Sequence, residues 1–127
     1  MIIIIWYSLG YSKTVGLTSI SFSDACSDFK PDLIVLMGDR YELLEAAQVS
    51  LFMKIRITHI SGGDTTEGAY DESIRHSITK MSHLHFVNKK NSFKKVKQLG
   101  EDSNFIFNVG SPTIDIFLNV QCFQEKS

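Results

Sequence analysis

Cysteine and proline are scarce in this chain, with two of each among 127 residues. Cys26 and Cys122 stand far apart with no CxxC spacing, which excludes a disulfide framework or a structural zinc site and leaves two free thiols. A charge excess is equally lacking. Thirteen basic side chains face 14 acidic ones, for a net charge of -1, so the footprint that a polyanion such as nucleic acid requires is absent. Long apolar runs are missing too. Met1 to Tyr7 (MIIIIWY) falls well short of the roughly 20 residues that cross a bilayer. It also has neither the basic start nor the small-residue cleavage site of a secretory signal. The stretch reads as a buried strand or as a chance leader, and the expected compartment is the cytoplasm, with no membrane partner.

What remains is a globular composition, 43% apolar and 11% aromatic, in a length that suits one small α/β unit. Tyr11 to Asp28 carries Val15, Leu17, Ile20, Phe22 and Ala25 as an imperfect helical stripe, weakened by serines and Gly16 and stopped by Pro31. Asp32 to Met37 is a continuous apolar run, as expected of a parallel strand covered by helices on both faces. Tyr41 to Lys54 has no glycine or proline and spaces Leu44, Ala47 and Leu51 as a helix does. Ile55 to Ile60 alternates as a strand. Asp71 to Ser82 aligns Ile74, Ile78 and Met81, leaving Arg75, His76 and Lys80 toward solvent or ligand.

Leu84 to Val87 is a short strand, and Asn91 to Leu99 a basic amphipathic helix closed by Gly100, with Phe93 and Val96 inward. Phe105 to Val109 is a last strand, followed by a turn and a helix beginning within Thr113 to Leu118. This alternation of strands and helices with short connections predicts right-handed βαβ units and a Rossmann-like parallel sheet.

Chemistry concentrates between Ile57 and His85. There a strand runs into Gly62-Gly63, a loop dense in carboxylates and hydroxyls, and a helix opening at Asp71-Glu72. Strand, glycine turn and helix N-terminus together favour an anionic ligand. Asp64, Glu67, Asp71 and Glu72 are more acids than a phosphate loop needs, and they suggest proton chemistry beside a phosphorylated ligand. Asp39, beyond the carboxyl end of a strand and before Arg40, either caps the next helix or belongs to the same site. Asp71 and Glu72 either answer the helix dipole or act on the ligand. His59, His76, His83 and His85 match no metal-ligand spacing, and Ser61 and Ser73 lie in no nucleophile elbow.

Three segments, KPDLIVLMGDRYE (Lys30 to Glu42), HISGGDTTEGAYDESIRHSITKMSHLHFV (His59 to Val87) and QLGED…IFNVGSP (Gln98 to Pro112), resemble the hydrolysing UDP-N-acetylglucosamine 2-epimerases of bacterial sialic-acid and nonulosonic-acid synthesis. SKTVGL (Ser12 to Leu17) also fits. The resemblance implies a partial N-terminal half of a GT-B-like fold of two Rossmann-like domains, with a nucleotide-sugar in the cleft between them. It implies loss of UDP across C1 and C2 of the sugar, addition of water to the resulting glycal, and no metal or redox cofactor. By the same resemblance Asp39 and Asp71 match catalytic acids, and His59, Arg75 and His76 match cleft positions. Arg40, Ser61, Gly62, Gly63 and Glu67 join them as substrate contacts. Many relatives carry a catalytic glutamate where this chain has Ser61, and Asp64 is expected to take over part of its work.

The expected organisation is an atypical leader or displaced strand over 1–10, a partial epimerase domain over 11–118 and a tail over 119–127. The remaining strands and the second domain are then absent, as in a truncated reading frame. A catalytically silent remnant or a nucleotide-sugar or partner-binding module is the alternative. An unpaired sheet edge would favour a homo-oligomer.

Overall fold

The computed structural model describes residues 2–5, 13–65, 70–112 and 114–115; for 2–5, 13 and 14 it describes the backbone alone. Among these residues five strands and four α-helices alternate: β1 (Ile2–Ile5), α1 (Lys13–Phe29), β2 (Leu33–Met37), α2 (Tyr41–Phe52), β3 (Arg56–Ile60), α3 (Asp71–Met81), β4 (Leu84–Val87), α4 (Lys90–Gln98) and β5 (Ile106–Asn108). A 3₁₀ turn at Ser103–Phe105 leads into the last strand. The Ile2–Ile5 backbone pairs in register with Leu33–Leu36, so this stretch is a strand of the sheet.

All pairings are parallel and the spatial order is β1-β2-β3-β4-β5. Each strand is added beside its predecessor in one direction, and crossovers of one hand then lay every helix on the same face. The packing agrees. α1 lies against α2 and α2 against α3. Ile34, Leu36 and Ile57 share a core with Leu43, Ala46 and Ala47 of α2 and Ile74 and Ile78 of α3. Val87 and Ile106 pack on Val96 of α4, with Phe93 at the border.

The expectation of helices on both faces of β2 is therefore corrected. A covered second face needs the strand order to reverse, and among the described residues it does not. Leu33, Val35 and Met37, on the other face, are only half-buried.

Two helices also turn differently from their sequence pattern. In α1, Leu17 and Ile20 are 65% and 62% exposed, and Cys26 is the buried contact. In α2 the buried line is Glu42, Leu43, Ala46, Ala47 and Ser50, while Leu51 faces out. The α3 stripe of Ile74 and Ile78, with Met81 partly buried, follows its expected spacing. The helix expected from Thr113 onward shows one turn around Pro112, Ile114 and Asp115, and the rest of it and Cys122 lie outside the described residues. No helix among those residues is long and apolar enough to cross a membrane.

Candidate functional site

The carboxyl ends of β2, β3 and β4 all open toward one edge of the parallel sheet, the edge where α/β folds gather their ligands. Asp39 follows β2 there. Its carboxylate does not cap α2, whose N-cap is Arg40 without any side-chain capping bond. It is paired instead with the guanidinium of Arg75, across 36 positions of sequence. Arg75 also donates through Nη1 to the main-chain carbonyl of Asp64 at 2.5 Å. One planar fork thus ties β2, the loop after β3 and α3 together. Arg75 was expected to face solvent or ligand, yet it is 6% exposed; the ion pair explains how a charged group sits so deep.

Asp71 opens α3 one helical turn before Arg75, so the two share a face of that helix. Glu72 pairs with His76 at 3.3 Å in the same turn. Arg40, with its side chain 47% exposed, reaches Glu42 at 3.4 Å. Glu42 itself is nearly buried, an acid at this edge that the sequence reading did not single out.

Asp64 has a different environment from the one expected. Ser92 Oγ donates to one carboxylate oxygen at 2.5 Å and Asn88 Nδ2 to the other at 2.7 Å, with Lys89 Nζ at 4.0 Å. Ser61 turns at a left-handed φ of 68°, and its hydroxyl donates to Asn88 Oδ1 at 3.4 Å. The carboxylate thus fastens the loop to the start of α4.

The glycine pair serves the same closure. Gly62 and Gly63 are buried, not open to a ligand as expected. A Cβ on Gly62 would stand 3.0 Å from Thr79 Oγ1 and 3.1 Å from His59 Nδ1. On Gly63, at φ 74°, it would strike the Ser92 carbonyl and come within 2.9 Å of Val96 Cγ2. Glu67 lies outside the described residues.

His59 was expected to line the cleft, but it is fully buried and both ring nitrogens are engaged. Nε2 bonds the Gly38 carbonyl at 2.8 Å and Nδ1 meets Thr79 Oγ1 at 3.0 Å. A carbonyl only accepts, so Nε2 carries the hydrogen; the neutral ring then accepts from Thr79 at Nδ1. Burial pushes the His59 pKa from 6.5 down to about 4, aided by the nearby charges of His85, Arg75 and His76 against the opposing Gly38 bond. The ring therefore acts on Gly38, whose φ of 100° aims the chain into Asp39.

A pH dependence follows from this histidine. Unfolded His59 takes up a proton below about pH 6.5, whereas the folded ring refuses it until about pH 4, so stability falls as the pH drops through that window. The loss reaches about 3 kcal/mol at its acid end. His85, pushed down by burial against the pull of Glu101, adds in the same direction. Thermal melts from pH 7 to 4 on the wild type and His59→Asn check this: the variant should show the shallower decline, and parallel profiles would contradict it.

Among the described residues, no group of His, Cys, Asp and Glu side chains is placed to hold a metal ion.

A family model described as UDP-N-acetylglucosamine 2-epimerase matches residues 7–127. The chain is 48% identical over 114 residues to a GDP/UDP-N,N'-diacetylbacillosamine 2-epimerase (hydrolyzing) of Campylobacter jejuni, covering 90% of this chain and 30% of that protein. It is 45% identical over 101 residues to polysialic acid biosynthesis protein P7 of Escherichia coli, covering 80% of this chain and 25% of the relative. Its fold superposes on the Methanocaldococcus jannaschii UDP-GlcNAc 2-epimerase in complex with UDP-GlcNAc and UDP, with a TM-score of 0.85 at 24% identity, over 94% of this chain and 34% of that one. The chain thus spans about a third or less of the length of the proteins it matches.

Proposed function

The chain belongs to the UDP-N-acetylglucosamine 2-epimerase family, and from that premise we propose that its carboxyl edge is the acid-bearing half of a hydrolysing UDP-sugar 2-epimerase site. In the reaction, a base removes the proton at C2 of the sugar while UDP departs from C1 with the bonding electrons. Water then adds across the glycal double bond, with hydroxyl to C1 and a proton to the opposite face of C2. With UDP-N-acetylglucosamine the product is N-acetylmannosamine.

The observation that carries this reading is the Arg75 fork. It holds Asp39 beyond β2, and Asp71 lies one turn before Arg75 on the same helix. Asp39 and Asp71 are assigned to the proton transfers. Arg40 and His76, both partly exposed at this edge, offer positive charge or hydrogen bonds to the ligand. Asp64 is assigned to holding the loop, because both its oxygens already accept hydrogen bonds.

The relatives divide between N-acetylglucosamine and diacetylbacillosamine in their names, so both UDP-sugars belong in the assay. UDP release by the purified chain is expected to fall at least about 100-fold in Asp39→Asn, the lower range for a lost acid–base group. A second reading is a module that binds the nucleotide-sugar without turnover, favoured by the Arg75 guanidinium that already occupies the Asp39 carboxylate. Saturable UDP-sugar binding with no UDP release would select it, and neither binding nor release would refute both.

A further inference from the structure

At the opposite, amino edge of the sheet, a cavity of 650 Å³ lies where α1 and α2 hand the chain to β2 and β3. Its size suits a small-molecule ligand. Lys30, Lys54 and Arg56 line it, with Asp32, which interacts with Arg56, as the one carboxylate among the described residues, so the described walls carry an excess of positive charge. The thiol of Cys26 lies buried at the same cavity, neutral at ordinary pH because burial pushes its pKa up.

Both lysines hold left-handed backbone, at φ 49° for Lys30 and 59° for Lys54. The Lys54 amide donates to the Leu51 carbonyl and the Ile55 amide to Ser50, the paired bonds that end a helix through one left-handed residue. Lys30 ends α1 by the simpler form, its amide donating to the Cys26 carbonyl. Glycine is the residue that adopts this position without strain. At the end of α4 the chain does use glycine, Gly100 at φ 96°.

Lysine just past α1 and α2 also answers their dipoles, since neither helix has a basic residue in its last turn, but the dipole does not require that both lysines border one cavity with Arg56 beside them. Strain accepted at two adjacent helix ends, both times to place a cation on one cavity, points to use of the cavity. We infer that this amino-edge cavity binds a small anion bearing a phosphoryl or diphosphoryl group, held by Lys30, Lys54 and Arg56. The site is separate from the carboxyl edge and independent of the epimerase reading.

Inorganic pyrophosphate is the probe, with sodium chloride at matched ionic strength as the reference. About 10 mM pyrophosphate should raise the melting temperature of the wild-type chain by about 5 °C, as a tenfold excess over a millimolar Kd does at this size. Lys30→Gly/Lys54→Gly should keep or raise its own melting temperature, because glycine suits the left-handed positions, and should lose the pyrophosphate response. Lys30→Arg/Lys54→Arg, equally strained but cationic, should retain it. No response in the wild type, or an equal response in the glycine variant, would overturn the inference.

Discussion

Alanine at Gly63 is expected to destabilise the chain by about 4 kcal/mol, combining left-handed strain with a steric collision. The added methyl would meet the backbone carbonyl of Ser92, which α4 holds in place, and the Cγ2 of Val96, which is fully buried. Neither neighbour can withdraw without shifting the helix. A fall in melting temperature of about 15 °C is the corresponding observable at this length. Gly62→Ala should cost less, since the nearest neighbours of its methyl are side-chain atoms of Thr79 and His59. Melts of the two variants side by side check the ordering; the reverse order would mean that the loop is not seated on α4 as described.

The second large effect belongs to Arg75. Its replacement by methionine keeps much of the packing but leaves the Asp39 carboxylate and the Asp64 carbonyl without their donor. A loss of about 3 kcal/mol is expected, toward the lower end for a broken buried pair because Asp39 is itself 25% exposed. Lysine should recover little, as an ammonium cannot span two acceptors in one plane. Denaturant titrations of the methionine, lysine and wild-type chains give the three stabilities directly. Full recovery by lysine would show that charge alone, not the fork, matters.

Much of the fold was legible because its signals are local. Strand runs such as Leu33–Met37 and Leu84–Val87, the Ile74–Ile78 stripe and the αL glycine after α4 are written in neighbouring residues. The placing of the described helices on one face was not, because the order in which strands assemble leaves no mark on an apolar run. The faces of α1 and α2 were misjudged for a related reason: Leu17, Ile20 and Leu51 are apolar yet outward, and sequence spacing cannot tell which of two apolar lines is covered.

At the site, Asp39 and Arg75 were named individually, through their place after a strand and within a motif. That they grip each other could not be read across 36 intervening positions. Asn88, Ser92 and Thr79 were missed altogether. They are small polar residues whose roles exist only through what the fold brings beside them, Asp64 for the first two and His59 for the third. Their signal, if any, was burial: Ser92 and Thr79 are fully enclosed, and an enclosed hydroxyl must find a partner.

A UDP-sugar bound at the carboxyl edge must touch this chain at Asp39 and the start of α3. Backbone amide NMR shifts recorded during titration with UDP-N-acetylglucosamine should move saturably at Gly38, Asp39 and Arg40 and along the first turn of α3 from Asp71 to Arg75. Asp39→Asn should weaken that response. Saturation with shifts confined elsewhere, with Asp39 and α3 unmoved, would contradict it.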